Sequence, residues 1–322
     1  MITTAVTQKL GIAHPILGGT MMSITDARFT AAISNAGGLG ILASAIYKTK
    51  ADFEKAVDEV QQLTDKPFAV NINLFPAMTA IDNNIYVDVM VEKGVKIVET
   101  SGHFAPEELC GRFKDAGMTW IHKCVGIRYA QKAEKLGADI VTVVGYENGG
   151  ATGKLDIGTL VLVPSVVDAV KVPVIGGGGV SDGRGLLAVL ALGAGAVIMG
   201  SRLLVTQECP LHENLKNALK NATELETRLI MRSIGATHRV WDNAAARKCA
   251  KIEAEGGDFN EVLSVVAGDK ARHMYATGDL DAGVISCGQG IGLVHDIPTV
   301  AALFDRIVAE AEAAMHRINT AE

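Results

Sequence analysis

Residues 145–153 read GYENGGATG and close the apolar run Ile140–Val144. An acid, an amide and several glycines crowd the end of what reads as a buried strand, yet Ala151 in their midst supplies only a methyl group. Two further stretches have the composition of anion sites. GGGGVSDGRG (Gly176–Gly185) leaves backbone N–H groups bare in a turn that tolerates positive φ, and MGSR (Met199–Arg202) adds the Ser201 hydroxyl. They follow the seventh and eighth of a series of apolar runs. In an eight-stranded α/β barrel, N–H groups from those two loops converge on a phosphate. A tight barrel turn without a ligand would account for the glycines less well.

Other strand ends carry groups with two readings each. GGTMM (Gly18–Met22) brings small residues where a flat ring could lie, or is a simple turn. Asn71 closes an apolar strand, as an orienting hydrogen-bond donor or as a helix N-cap. Lys123 sits among apolar neighbours, facing a flavin ring or phosphate, or pairing with an acid. His103 could move protons near neutral pH or cap a helix beginning at APEE, the second being the stronger reading. Cys124 reads as a core thiol rather than a nucleophile. His14 and His316 read as structural or surface residues.

The elements that must position these groups alternate regularly. Apolar, β-branched runs at Pro15–Gly18, Leu39–Leu42, Phe68–Ile72, Lys96–Thr100, Trp120–Cys124, Asp139–Val143, Val172–Ile175 and Ala196–Met199 have the texture of buried parallel strands. Amphipathic stretches between them, such as Asp26–Asn35, Ala51–Leu63 and Asn84–Lys93, are long enough for helical crossovers. Eight such units predict an α/β fold, a (β/α)8 TIM barrel, over residues 1–209. Residues 210–284 are more charged, with no strand signal from Pro210 to Asp279, and predict a helical lid over the barrel mouth. SCGQGIGLV (Ser286–Val294) then returns to the barrel, and a last helix over Ile297–His316 packs on it, so residues 285–322 complete the fold.

Composition narrows the class. With 322 residues, 48% hydrophobic and 20% charged, the chain can bury a large core. Its net charge of −6, with acids and bases interspersed, argues against nucleic-acid and membrane partners. No leader pattern opens the sequence, so a cytoplasmic location is expected. The cysteines number five, widely spaced and without a CxxC, which argues against a metal site or a disulfide framework. A homodimer is the base expectation for a soluble enzyme of this size.

Taken together, PILGGTMM…AAISNAGGLGIL, KPFAVNINLF, GADIVTVVGYENGG, VPVIGGGGVSDGRGLLAVLALGAGAVIMGSR and GQGIGL resemble the nitronate monooxygenase (2-nitropropane dioxygenase-like) flavoproteins. That group is similar to flavin-dependent enoyl-ACP reductases and includes NADH:quinone reductases. The resemblance spans nearly the whole chain and implies FMN held non-covalently at the barrel mouth. By position it assigns Gly178, Gly179, Gly200 and Ser201 to the FMN phosphate, and Gly19, Thr20 and Met21 to the isoalloxazine. It places Asn71 and Lys123 against the ring, and Gly149, Gly150 and Gln289 along the ribityl or ring side. The family pattern G-x-E-x-G-G-H-x-G has a histidine where this chain has Ala151, so the base expected to act on a nitroalkane is missing and the two glycines would leave room for a larger substrate.

Three functions follow. The first is an FMN-dependent reductase that passes a hydride from NADH or NADPH through the flavin to a quinone, an enone or an acyl thioester. Lys123 would then stabilise the reduced flavin, and His103, Tyr146 or solvent would supply a proton. No Rossmann fingerprint is present, so the nicotinamide would bind transiently under the lid. The second is a nitronate monooxygenase using O2. The third is a phosphate-binding barrel lyase or isomerase without flavin.

Overall fold

The computed structural model describes residues 2–74, 82–102, 104–153 and 155–320. Eight parallel strands form its centre: β1 (Ile16–Gly18), β2 (Gly40–Ala43), β3 (Phe68–Asn73), β4 (Ile97–Ser101), β5 (Thr119–Cys124), β6 (Ile140–Val144), β8 (Val174–Gly177) and β9 (Ala196–Met199). Each predicted run forms its strand, with ends shifted by at most two residues. The order β1-β9-β8-β6-β5-β4-β3-β2 is closed by a parallel bridge from Leu17 to Leu39, making the expected (β/α)8 barrel.

Strand alternation sorts side chains into two cores. Leu17, Ile41, Ala69, Ile97, Ile121, Ile140, Ile175 and Ile198 fill the barrel interior. Their neighbours along the strands, such as Val70, Val98, Trp120 and Val143, point outward and pack beneath the helices. Val6, Leu10 and Ile12 join the interior cluster from the N-terminal segment. They belong to, or follow, the helix Ala5–Leu10, which Thr4 caps by accepting from the Thr7 N–H while Gly11 ends it in the left-handed conformation. Thr4 also donates to the Gly195 carbonyl just before β9, so this helix plugs the N-terminal end of the barrel. The opposite end carries the chemistry.

The excursion after β9 is not purely helical. It contains β10 (Thr227–Ile230) and β11 (His238–Trp241), and β11 pairs antiparallel both with β10 and with β7 (Gly150–Ala151). These short strands, TRLI and HRVW, each open with two polar or charged residues, so they lack the continuous apolar run that marks the barrel strands. Ile230 and Val240 pack with Ala246, Cys249, Val262 and Val265 in a separate small core. No helix is long and apolar enough to cross a membrane among the described residues. All five thiols are free.

Candidate active site

One step above the isoleucine layer, the barrel interior turns polar. Asn71, Glu99, Lys123 and Thr142 follow Ala69, Ile97, Ile121 and Ile140 on the same faces of β3 to β6. Glu99 is fully buried. Its Oε2 accepts from Asn71 Nδ2 at 2.7 Å and from the Thr20 hydroxyl at 2.8 Å, and Lys123 Nζ lies 3.5 Å from its Oε1. Asn71 therefore orients this layer and does not cap a helix. Lys123 pairs with an acid, so the free cation expected beside a flavin is half of an ion pair. Glu99 went unnoticed in the sequence because KIVET reads as one more apolar strand; the signal available was an acid at an inward register position.

The glycine-rich strand ends meet at one side of the opening. Gly178 and Gly179 adopt positive φ of 104° and 73°. A Cβ at Gly178 would lie 2.5 Å from the Thr159 hydroxyl, so this glycine is needed for packing. Above Gly200 the nearest atom to such a Cβ is Met21 Sδ at 4.0 Å, which leaves open space. Gly19 donates to the Met199 carbonyl, bringing the β1 and β9 ends together. Ser201 Oγ accepts from Gly288 N at 2.7 Å, and Gln289 N donates to the Glu147 carbonyl. The returning GQG segment is thereby tied to both the β9 end and the GYENGG loop.

That loop is held tightly. Glu147 accepts from the Thr159 backbone N–H and hydroxyl. The buried Arg239 of β11 donates twice to the Tyr146 carbonyl, with its guanidinium 4.5 Å from the centre of the Tyr146 ring. Tyr146 is thus a packing partner of the excursion. Gly149 does not create room: a Cβ there would meet Gly288 N at 2.7 Å and the Cys287 backbone at 2.8 Å. Gly150 and Ala151 stand opposite Arg239 and His238 in the β7–β11 ladder. The open loop of the sequence is in fact a strand that clasps the excursion, and Ala151 is a ladder residue.

Buried polar side-chain atoms are nearly always hydrogen-bonded in folded proteins. Nine among the described residues are not; Thr142 Oγ1 lies in the barrel interior, Asn148 Oδ1 and Thr152 Oγ1 on the loop, His238 Nδ1 and Trp241 Nε1 on β11, and Glu99 Oε1 has only its ion pair with Lys123. Thr142 Oγ1, the register neighbour of Lys123 inside the barrel, is an unmet group that a ligand at the opening would complete.

The remaining predicted groups separate clearly. His122 points away from the opening, bonded to the Thr100 hydroxyl at 2.8 Å; burial, aided by neighbouring Lys123, pushes its pKa down to about 4. Burial raises the Cys124 thiol to about 12, which makes it the inert core thiol expected. His103 lies outside the described residues. The helix expected at APEE begins later, at Cys110. The ladder-forming His238 and Arg239 were missed because nothing local in HRVW tells that it pairs with a loop 87 or more residues earlier.

The profile of the nitronate monooxygenase family matches residues 3–310. The chain is 35% identical to the Rhodococcus jostii protein named "(3aS,4S,5R,7aS)-5-hydroxy-7a-methyl-1-oxo-octahydro-1H-indene-4-carboxyl-CoA dehydrogenase", covering 96% of each. A probable nitronate monooxygenase of Staphylococcus aureus is 28% identical, over 81% of this chain and 85% of that one. Among solved structures, FabK from Thermotoga maritima superposes with a TM-score of 0.91 at 33% identity, over the whole of both chains.

Proposed function

Because the chain belongs to the nitronate monooxygenase family, whose members are flavin-dependent oxidoreductases, we propose that it is an FMN enzyme passing a hydride from NADH or NADPH to an electron-poor acyl thioester. The observation that carries this reading is Ala151. The family pattern sets a base on this loop for nitroalkane chemistry, and here a methyl group stands in the ladder instead. Among the three acceptors considered, quinone, enone and thioester, the last is favoured by the Rhodococcus relative, whose name specifies a CoA thioester. Membership of an oxidoreductase family leaves the lyase or isomerase without support.

The residues present fit FMN. The space above Gly200 is open, Ser201 is held by the Gly288 N–H, and Thr142 Oγ1 inside the barrel lacks a hydrogen-bond partner. Gly178 would support the rim from behind, while Gly179, Gly200 and Ser201 would hold the phosphate. Gly19, Thr20 and Met21 would run along the ring system, Asn71 and Lys123 would touch it, and Gly149, Gly150 and Gln289 would flank the ribityl side. When bound, the flavin supplies the hydride chemistry. The protein orients it and fixes charge. Glu99 holds Asn71, Thr20 and Lys123 in one geometry, so Lys123 presents an N–H donor whose charge is already balanced. The excursion, pinned by Arg239, shields the opening from water.

The nitronate monooxygenase reading keeps one specific argument, since a nitronate is already deprotonated and needs no base. Oxygen uptake separates the two. The protein should consume O2 no faster with propyl-2-nitronate than without it, while oxidising NADH or NADPH in the presence of an enoyl-CoA. Rapid nitronate-dependent uptake would replace this proposal with the older family activity.

A further inference from the structure

Among the described residues Glu99 is the only buried acid. Acids are almost never fully buried unless they are paired, so its place inside the barrel needs a reason. The two oxygens of its carboxyl group are used differently. Oε2 accepts from Asn71 Nδ2 and from the Thr20 hydroxyl. Oε1 accepts no hydrogen bond and faces Lys123 Nζ at 3.5 Å. A proton on Oε1 would have no acceptor there, because an ammonium only donates. The carboxyl group is therefore held ionised. Its pair with Lys123 is longer than the about 2.7–2.9 Å of a charge-assisted hydrogen bond, so the ammonium is balanced without being locked in place.

We propose that Glu99 is a positioning residue that holds the reduction potential of the bound flavin low, by placing a fixed negative charge behind Lys123, Asn71 and Thr20. The inference rests on the FMN reading above and deepens it. All three partners of Glu99 are among the groups assigned to the ring system, so the carboxylate sits one side chain behind the flavin's place. A hydride carries two electrons and one proton, so accepting one from NADH or NADPH adds a negative charge to the site. An unbalanced lysine would favour that charge and raise the potential. The Glu99 carboxylate cancels the lysine, and in a site of low dielectric its field reaches beyond its immediate partners. The reduced site is then the stronger hydride donor. An enoyl thioester is a weaker oxidant than a quinone, so a strongly reducing site suits the thioester.

The other buried charges are engaged outside this layer. Arg202 pairs with Asp296, Lys216 pairs with Glu213, and Arg239 lies against Tyr146. The carboxylate of Glu147, on the loop, accepts from Thr159. Lys123 itself is accessible, with 21% of its side chain exposed, whereas Glu99 has none. Across from Lys123 on β6, Thr142 is fully buried with its hydroxyl unpartnered. The polar layer thus presents a lysine and a hydroxyl to the opening and keeps the acid behind them.

The test measures the midpoint potential of FMN bound to the full chain, by equilibration with reference dyes, in two variants that separate charge from geometry. Glu99→Gln keeps an oxygen for the Asn71 and Thr20 donors and loses the charge. Glu99→Asp keeps the charge and draws the carboxylate back from those donors. Glu99→Gln should favour the reduced form at least tenfold, an upward shift of about 30 mV or more for a two-electron couple. Glu99→Asp should stay close to wild type. A second measurement needs no variant. The infrared difference spectrum between reduced and oxidised wild type should contain a shifted carboxylate band, because the charge beside the only buried acid changes. An unmoved potential in Glu99→Gln, an equal rise in Glu99→Asp, or a difference spectrum without a carboxylate shift overturns the inference alone. A wild-type chain that takes up no FMN overturns the flavin reading, and this inference with it.

Discussion

The polar layer inside the barrel and the β7–β11 clasp border the same opening but are built differently. Glu99, Asn71 and Lys123 come from three neighbouring strands whose register is fixed by alternation, and each finds its partner one strand away. The clasp joins Gly150 and Ala151 to residues far along the chain, through a two-residue strand, a guanidinium and closely packed glycine backbones. The barrel part is a deep charged network in a rigid frame. The clasp is built on a two-residue strand and on a core separate from the barrel's, so damage to it should leave the frame intact.

That contrast predicts unequal responses to damage. The largest is expected at Glu99, whose removal leaves the Lys123 ammonium without its counter-ion and the Asn71 and Thr20 donors without an acceptor. Glu99→Ala should cost about 3–5 kcal/mol, read as a lower urea midpoint, together with loss of bound flavin. A variant as stable as wild type would mean that the layer is not a network.

The outer face of the same strands supplies the next test. His122 has a folded-state pKa of about 4, below its unfolded value of 6.5. As pH falls, the unfolded chain takes up this proton first. The contribution of His122 is therefore complete above pH 6.5 and is lost between there and pH 4, a drop of about 3 kcal/mol if all else stays constant. His122→Asn should remove that component from a plot of unfolding free energy against pH, and an unchanged slope would show that the imidazole is already charged in the fold.

Much of this was legible in advance, and the limits are physical. All eight barrel strands follow from short β-branched runs, because a buried parallel strand needs no partner-specific signal. The glycine rim was visible for a similar reason, since positive φ restricts the residue type. Glu99 was hidden because one acid in an apolar run gives no indication of whether it faces in or out until register is known. Tyr146 looked like a proton donor and Gly149 like open space, but both touch residues that the chain brings back much later, Arg239 and Gly288. Pairing over such separations leaves no local trace, whereas β10 and β11, which are near neighbours in sequence, were missed because each opens with polar residues and lacks an apolar run.

The clasp should respond more gently. Gly149→Ala forces a methyl group into the Gly288 backbone, so GQG and the loop must separate. A stability loss of about 1–3 kcal/mol is expected, with faster flavin release and faster hydrogen exchange at 145–151 than in the barrel strands. Equal exchange in both regions would erase the distinction between frame and clasp. The smallest effect belongs to Arg232→Ala. Its pair with Asp156 links the excursion to the loop, but both side chains are largely exposed, at 49% and 40%. Its loss should cost below about 1 kcal/mol in thermal unfolding and should shrink further in high salt.

The central claim, hydride transfer at a site whose loop has lost its base, is tested most directly by anaerobic stopped-flow reduction of the FMN-loaded protein. It would be mixed separately with NADH, NADPH and propyl-2-nitronate, following flavin bleaching. Rapid bleaching by a nicotinamide and none by the nitronate is the expected result. Bleaching by the nitronate alone would contradict the account and show that this opening carries out nitronate oxidation with alanine at position 151.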